Sequence, residues 1–210
     1  MATTSHAWFC IPIDNPLGNV IANLSLIKPL DKAFDTIKTH KEGNPLRLIT
    51  SCCGTAIENL SAFTEFYLKP LAQKLPSFVK DTTHLLQKIE DLNKLGPFPK
   101  ESLLVSWDVV AMFPNIDNNL GINAITEALN SRTTNFPSTD CIVEAVKICL
   151  QHNNSQFKDE NFLQIHGTAM GPKNACSYAG LAMGIIDQKA LSGILLFKGS
   201  IKDFVTGLRV

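Results

Sequence analysis

Four stretches of this chain repeat apolar residues at helical spacing, and each is shut off by proline, glycine or a polar capping residue. Ile57, Leu60, Phe63, Tyr67 and Leu71 step by three and four, a pattern that predicts an amphipathic helix ending at or before Pro76. Leu85, Leu86, Ile89, Leu92 and Leu95 form a second stripe, with Asp81 or Thr82 available as cap and Gly96-Pro97 as the stop. Two more helices are expected near 118–131 (Leu120, Ile122, Ile125, Leu129) and 139–152 (Ile142, Val143, Val146, Cys149, Leu150), capped by Asp117, Asn118 or Thr139. The runs between them read as extended chain. Arg47 to Cys53 carries β-branched residues, and Leu103 to Val110 reads as a buried strand. Ser155 to His166 predicts a hairpin turning at Lys158-Asp-Glu-Asn161. Gly193 to Val210 predicts two short strands around a turn. Interleaved helices and strands point to an α+β class with α/β-like mixing.

Composition narrows the function. Hydrophobic residues make up 45% of the 210 and charged residues 18%, which supplies a core and excludes a disordered chain. No apolar run approaches the ~20 residues of a membrane helix, so no membrane partner is expected. Met1 to Gly18 lacks a basic n-region and is broken by Pro12, Asp14 and Pro16, so no secretory signal is expected. Lys and Arg number 19 against 19 Asp and Glu. A chain that grips nucleic acid by overall charge is basic, so such a role here has to come from a local cluster. One exists: Lys28, Lys32, Lys38, His40, Lys41 and Arg47, against Asp31, Asp35 and Glu42. None of the six cysteines forms a CxxC pair or stands at zinc-ligand spacing from a histidine. They read as free thiols of a reducing compartment, with Cys141 and Cys149 as small core residues. Residues 1–36 are taken as an irregular N-terminal segment and 37–210 as the structured region.

Three places carry candidate chemistry. Asp108 sits in the apolar run Val-Ser-Trp-Asp-Val-Val, where an ionised carboxylate costs several kcal/mol unless it is paired, binds metal or faces a cleft. The alternative is a strand-end Asp capping the turn Met112-Phe-Pro-Asn115. Gly167-Thr-Ala-Met-Gly-Pro-Lys173 opens a helix of small residues, Ala175, Ala179, Gly180, Ala182 and Gly184. Helix-terminal amides there can meet an anion, or the segment is an ordinary helix start. Lys38, Lys41 and Arg47 can clamp phosphate or form a solvated loop face.

These places occur in an order that resembles a known family. Ile37-Lys-Thr-His-Lys-Glu-Gly-Asn-Pro-Leu-Arg47-Leu-Ile-Thr-Ser51 resembles the fingers segment of reverse transcriptases of the Penelope-like retroelement type. Leu104-Val-Ser-Trp-Asp108-Val-Val-Ala-Met-Phe113-Pro-Asn-Ile116 resembles polymerase motif A, an Asp followed five residues on by an aromatic. Leu163-Gln-Ile-His-Gly-Thr-Ala-Met-Gly-Pro-Lys173-Asn-Ala-Cys-Ser-Tyr-Ala-Gly-Leu181 resembles motif B. The resemblance covers roughly residues 37–205 and implies the fingers and palm of a right-hand polymerase, an RNA-directed DNA polymerase. It implies that Asp108 binds Mg²⁺ with help from the Val109 carbonyl, and that Arg47 and Lys38 hold the triphosphate of an incoming dNTP. It further implies that Phe113 lies under the sugar, and that Gly171 and Lys173 lie against an RNA template and DNA primer. Asp203 would be the second catalytic carboxylate.

The sequence departs from the family at motif C. Its best match is Ser200-Ile-Lys-Asp203, with Lys202 where a metal-binding Asp belongs, and a cation there repels Mg²⁺. In motif B, Pro172, Asn174 and Cys176 replace the expected Thr, Met and Pro. The expectation is a truncated or degenerate copy without a thumb, weak or inactive in polymerisation, acting in the nucleus or cytoplasm. The alternative is a non-catalytic nucleic-acid-binding or protein-interaction domain on the same scaffold.

Overall fold

The computed structural model describes residues 29–39, 42–44, 46–97, 100, 109–157 and 160–197, with side chains to residue 190. Among these residues the fold is α+β, a four-stranded mixed sheet beside six helices. The strands are β1 (Asp31–Ile37), β2 (Leu46–Ser51), β3 (Asn154–Phe157) and β4 (Glu160–Leu163). Their order across the sheet is β2-β1-β3-β4. β1 pairs antiparallel with β2 from Lys32↔Ser51 to Ile37↔Leu46. It pairs parallel with β3 through Asp31↔Ser155 and Lys32↔Gln156, and β3–β4 is the hairpin expected from the sequence. The region 31–36, read from sequence as irregular, therefore contains most of a strand.

The helices are α1 (Glu58–Ala72), α2 (Thr82–Lys94), α3 (Met112–Asn115), α4 (Asn118–Asn130), α5 (Thr139–Gln151) and α6 (Ala175–Phe197). Three begin on side-chain caps that satisfy an orphan amide: Asp81 accepts from His84 N–H at 2.8 Å, Asp117 from Leu120 N–H at 2.8 Å and Ser138 from Cys141 N–H at 3.2 Å. α6 runs through Phe197, so the two strands expected from Gly193 onward are not present in residues 193–197; residues 198–210 lie outside the described residues. Leu, Ile and Phe at 194–197 extend a helix as readily as they extend a strand, and propensity alone did not separate the two.

The apolar core lies between α1, α4, α5 and α6. Leu68, Ile125, Leu129, Ile142, Val146 and Tyr178 are fully buried there, with Ala179 and Ala182 letting α6 approach closely. At Gly121 of α4 a side chain would collide with the Tyr178 ring. Cys149 is buried as expected, but Cys141 is exposed, because it falls on the outer face of the first turn of α5.

α2 behaves differently. Its apolar stripe exists, yet the helix buries no residue, and Leu86 and Leu95 are 60% and 76% exposed. Lys88 Nζ ties it to the carbonyls of Pro76 and Phe78, both at 3.0 Å. Leu129→Ala should therefore cost about 2–5 kcal/mol in urea unfolding, as a truncation in a sealed core does. Leu86→Ala should stay within about 0.5 kcal/mol, the range of surface changes. Equal losses at both positions would contradict this placement of the core.

Candidate functional site

The segment between β4 and α6 joins two parts of the molecule through backbone contacts. Thr168 N–H donates to Phe113 O at 2.9 Å, which fastens the segment to α3. Two residues on, Met170 O accepts from Thr50 N–H at 2.8 Å, which fastens it to the free edge of β2. The glycines make this possible. Gly167 has φ 68°, and a side chain on it would strike the backbone of Phe113 and Pro114. A side chain on Gly171 would strike Thr50 O. The Cys52 thiol lies 3.8 Å from Gly171 O, a weak sulfur hydrogen bond.

Lys173 follows. Its Nζ is 3.5 Å from Glu58 Oε1, and Glu58 Oε2 accepts from Gly54 N–H at 2.7 Å. The pair is partly exposed, so it contributes no more than about 1 kcal/mol, and an anion can compete for the lysine.

On the α3 side the chain enters through an uncommon turn. Ala111 has φ 49°, a left-handed conformation that costs a non-glycine residue roughly 1–2 kcal/mol. Val109 and Val110 before it are 48% and 79% exposed. The buried strand expected over 103–110 thus fails at its last two residues; residues 101–108, Asp108 among them, lie outside the described residues, as do Lys202 and Asp203. Phe113 is half-buried against the apolar core, and its carbonyl holds the loop.

On the sheet, Arg47 pairs across the ladder with Thr36, whose hydroxyl donates to Arg47 O at 3.3 Å. Lys38 lies two residues beyond Thr36, just past the end of β1. Arg47 and Thr50 are three apart, so they project to opposite faces of the strand: Thr50 is buried and Arg47 exposed. The structure thus brings the Phe113 backbone, Gly171, Lys173 and β2 to one junction, with Lys38 and Arg47 farther out on the hairpin.

Sequence reasoning missed Asp31. It is the first residue of β1, only 2% exposed, and its Oδ2 has no hydrogen-bond partner among the described residues. Burial pushes its carboxyl up to about 6, while Thr55 pulls the other way. Around it the seam between sheet and helices is polar: Thr55, Ser61, Thr64, His152, Asn153, Ser155 and Asn174 are all buried. Burial lifts the Cys52 thiol and, more strongly, Cys149, to about 12, and it pushes His152 down. These thiols stay protonated and unreactive at neutral pH. No alternation marks Asp31, since Asp-Lys-Ala-Phe-Asp-Thr-Ile sets polar and apolar residues in pairs and so does not say which face is buried.

No family model matches this chain, and no curated protein matches it either.

Two outcomes follow from this geometry. Gly171→Ala should loosen the loop from β2 and increase hydrogen exchange at the Thr50 amide, which would otherwise be among the slower ones of the hairpin. Asp31 sets a pH dependence. Well below pH 4 its carboxyl is protonated both folded and unfolded, so it costs nothing; between about pH 4 and 6 the unfolded chain gives up the proton that the fold retains, and stability is lost by up to about 3 kcal/mol. Asp31→Asn should therefore gain on the parent protein between pH 4 and pH 7 in urea titrations. A gap that does not change with pH would show that Asp31 carries no such penalty.

Proposed function

We propose that this chain is a reverse transcriptase-like domain of the Penelope-like type, derived from RNA-directed DNA polymerases. One observation carries the reading: three stretches far apart in sequence, each resembling a polymerase motif, meet at one junction. The loop at 167–173 touches β2, which bears Arg47, and the turn that follows Asp108. On this reading Arg47 with Lys38 holds a triphosphate, Gly171 and Lys173 lie against template and primer, and Phe113 lies under the sugar. The left-handed turn at Ala111, directly after the Asp108 stretch, agrees with it, since strained backbone concentrates at functional sites.

Two-metal phosphoryl transfer requires at least two carboxylates that ligate a pair of ions about 3.5–4 Å apart. Among the described residues no three His, Cys, Asp or Glu side chains come together, and Glu58 is engaged by Gly54 and Lys173. Mg²⁺ ligation rests on Asp108 and Asp203 alone, with Lys202 opposing it. The function that follows is to hold a nucleotide and an RNA–DNA template–primer, with transfer weak.

Fluorescence anisotropy with an RNA template–DNA primer hybrid tests the reading. Affinity should fall with salt, and Arg47→Ala and Lys173→Ala should each reduce the slope of log K against log salt by roughly 1. Undetectable binding at low salt would end the proposal. Primer extension with Mg²⁺ or Mn²⁺ should be faint. Vigorous extension abolished by Asp108→Ala would overturn the weak-transfer part while strengthening the family reading.

A further inference from the structure

α1 and α6 do not close on each other along their whole length. α1 ends at Ala72, and tight turns carry the chain on through Leu75 and Phe78. Leu75 fills the space beside Gly184 of α6, where an added side chain would strike it. One turn earlier on α6, a side chain at Gly180 would meet only the Ala72 Cβ, at an ordinary 3.9 Å. The groove left open there is a cleft of about 370 Å³. That is the small end of ligand clefts, which run from roughly 300 to 1,000 Å³. Its apolar wall is Ala72, Leu75, Phe78, Val79 and Gly180. The wall is tied down: Phe78 N–H donates to Leu75 O at 2.9 Å, and Lys88 Nζ of α2 donates to the carbonyls of Pro76 and Phe78.

Two charges line the same cleft. Glu65 and Lys69 stand one turn apart on α1. Glutamate four residues ahead of lysine is the order that pairs well on a helix. Here they do not pair: among the described residues no ion pair engages either, and Glu65 Oε2 is buried without a hydrogen-bond partner. A buried carboxylate oxygen without a donor is costly, so the cleft is short of a hydrogen-bond donor. Glu65 reaches toward α6, since its charge adds to burial in raising the Cys176 thiol. The cleft thus combines an apolar wall with one carboxylate and one ammonium that do not meet each other.

That pattern selects among small molecules. A fatty acid or aryl carboxylate answers Lys69 and leaves Glu65 opposed. An alkyl or aryl amine answers Glu65 and sets its charge against Lys69. The backbone of an internal peptide segment brings neither charge. A free α-amino acid with an apolar side chain carries an ammonium, a carboxylate and an apolar body on one carbon, and it answers all three.

We propose that the cleft between α1, α6 and the 73–79 connection binds a free apolar amino acid, its ammonium on Glu65, its carboxylate on Lys69 and its side chain against Leu75, Phe78 and Val79. None of these residues belongs to the junction at 167–173 or to the β1–β2 hairpin. Binding requires no metal, nucleotide or nucleic acid, so the site stands apart from the polymerase reading.

Isothermal titration calorimetry of the full chain with L-phenylalanine and L-leucine tests the site, with 3-phenylpropionate, phenethylamine and glycine as comparators. Phenylalanine and leucine should both bind. 3-Phenylpropionate lacks the ammonium and phenethylamine the carboxylate, and each should bind roughly tenfold more weakly or worse. Glycine, which has no apolar body, should give no binding heat. Glu65→Gln keeps the shape of the side chain and should weaken phenylalanine binding at least roughly tenfold. Gly180→Leu puts a side chain into the cleft while improving helix propensity, so it should abolish binding with the fold kept by circular dichroism. Should that variant fail to fold, Glu65→Gln decides alone. No heat with either phenylalanine or leucine, phenethylamine binding as tightly as phenylalanine, phenylalanine affinity untouched by Glu65→Gln, or binding that persists in folded Gly180→Leu would each overturn the inference.

Discussion

Two backbone hydrogen bonds, Thr168 N–H to Phe113 O and Thr50 N–H to Met170 O, hold the candidate site together. They come from residues two apart on one loop and reach in different directions, to a short helix and to a strand edge. A free strand edge is an unsatisfied row of donors and acceptors, and here one of its amides is used by the loop. Because the contacts are between main chains, they do not depend on a side-chain rotamer, and they need the glycines at 167 and 171 for clearance. The sheet and the helical core are therefore placed relative to each other at the junction where the three motif-like stretches meet.

The two halves of the molecule are held by different physics. Among α1, α4, α5 and α6 the contacts are apolar and tightly filled, with Tyr178 against Gly121 as the closest approach. Between sheet and helices the buried groups are hydroxyls, amides, thiols and the Asp31 carboxyl. Buried polar groups stabilise only when satisfied, and both side-chain amide atoms of Asn153, like Asp31 Oδ2, lack partners among the described residues. Through Asp31 the stability of the seam depends on pH in the acid range, whereas the buried Tyr178 phenol of the helical core, pushed up to about 12, stays neutral there.

Much of this was legible in the sequence. Periodicity located α1, α2, α4 and α5, and the caps Asp81 and Asp117 stood where the chemistry of helix starts requires them. β2, the β3–β4 hairpin and the glycine loop ahead of α6 were equally plain. β1 was not, because its hairpin projects far enough that Asp35 and Ile37 are exposed on one face and Phe34 on the other, which blurs the alternation a half-buried strand shows. The stripe of α2 predicted a buried helix, but a stripe reports only that a face is apolar, not that the described residues cover it. Of the site, Gly171 and Lys173 were found from their loop and Arg47 from its strand. Asp31 was invisible, since a carboxylate next to a lysine in a charged patch looks solvated until the pairing with Ser155 turns it inward.

The two faces of the sheet also limit how its first strand can change. Side chains alternate, so adding or deleting one residue between Asp31 and Phe34 would exchange inside for outside downstream of the change. Asp35 would cross to the face that holds Lys32 and Arg47, and the ring of Phe34 would turn to the face that is buried at Asp31 and Thr50. Length variation in this hairpin is therefore tolerable only beyond Ile37, at the connection to β2, where no ladder partner is lost and both faces already meet water.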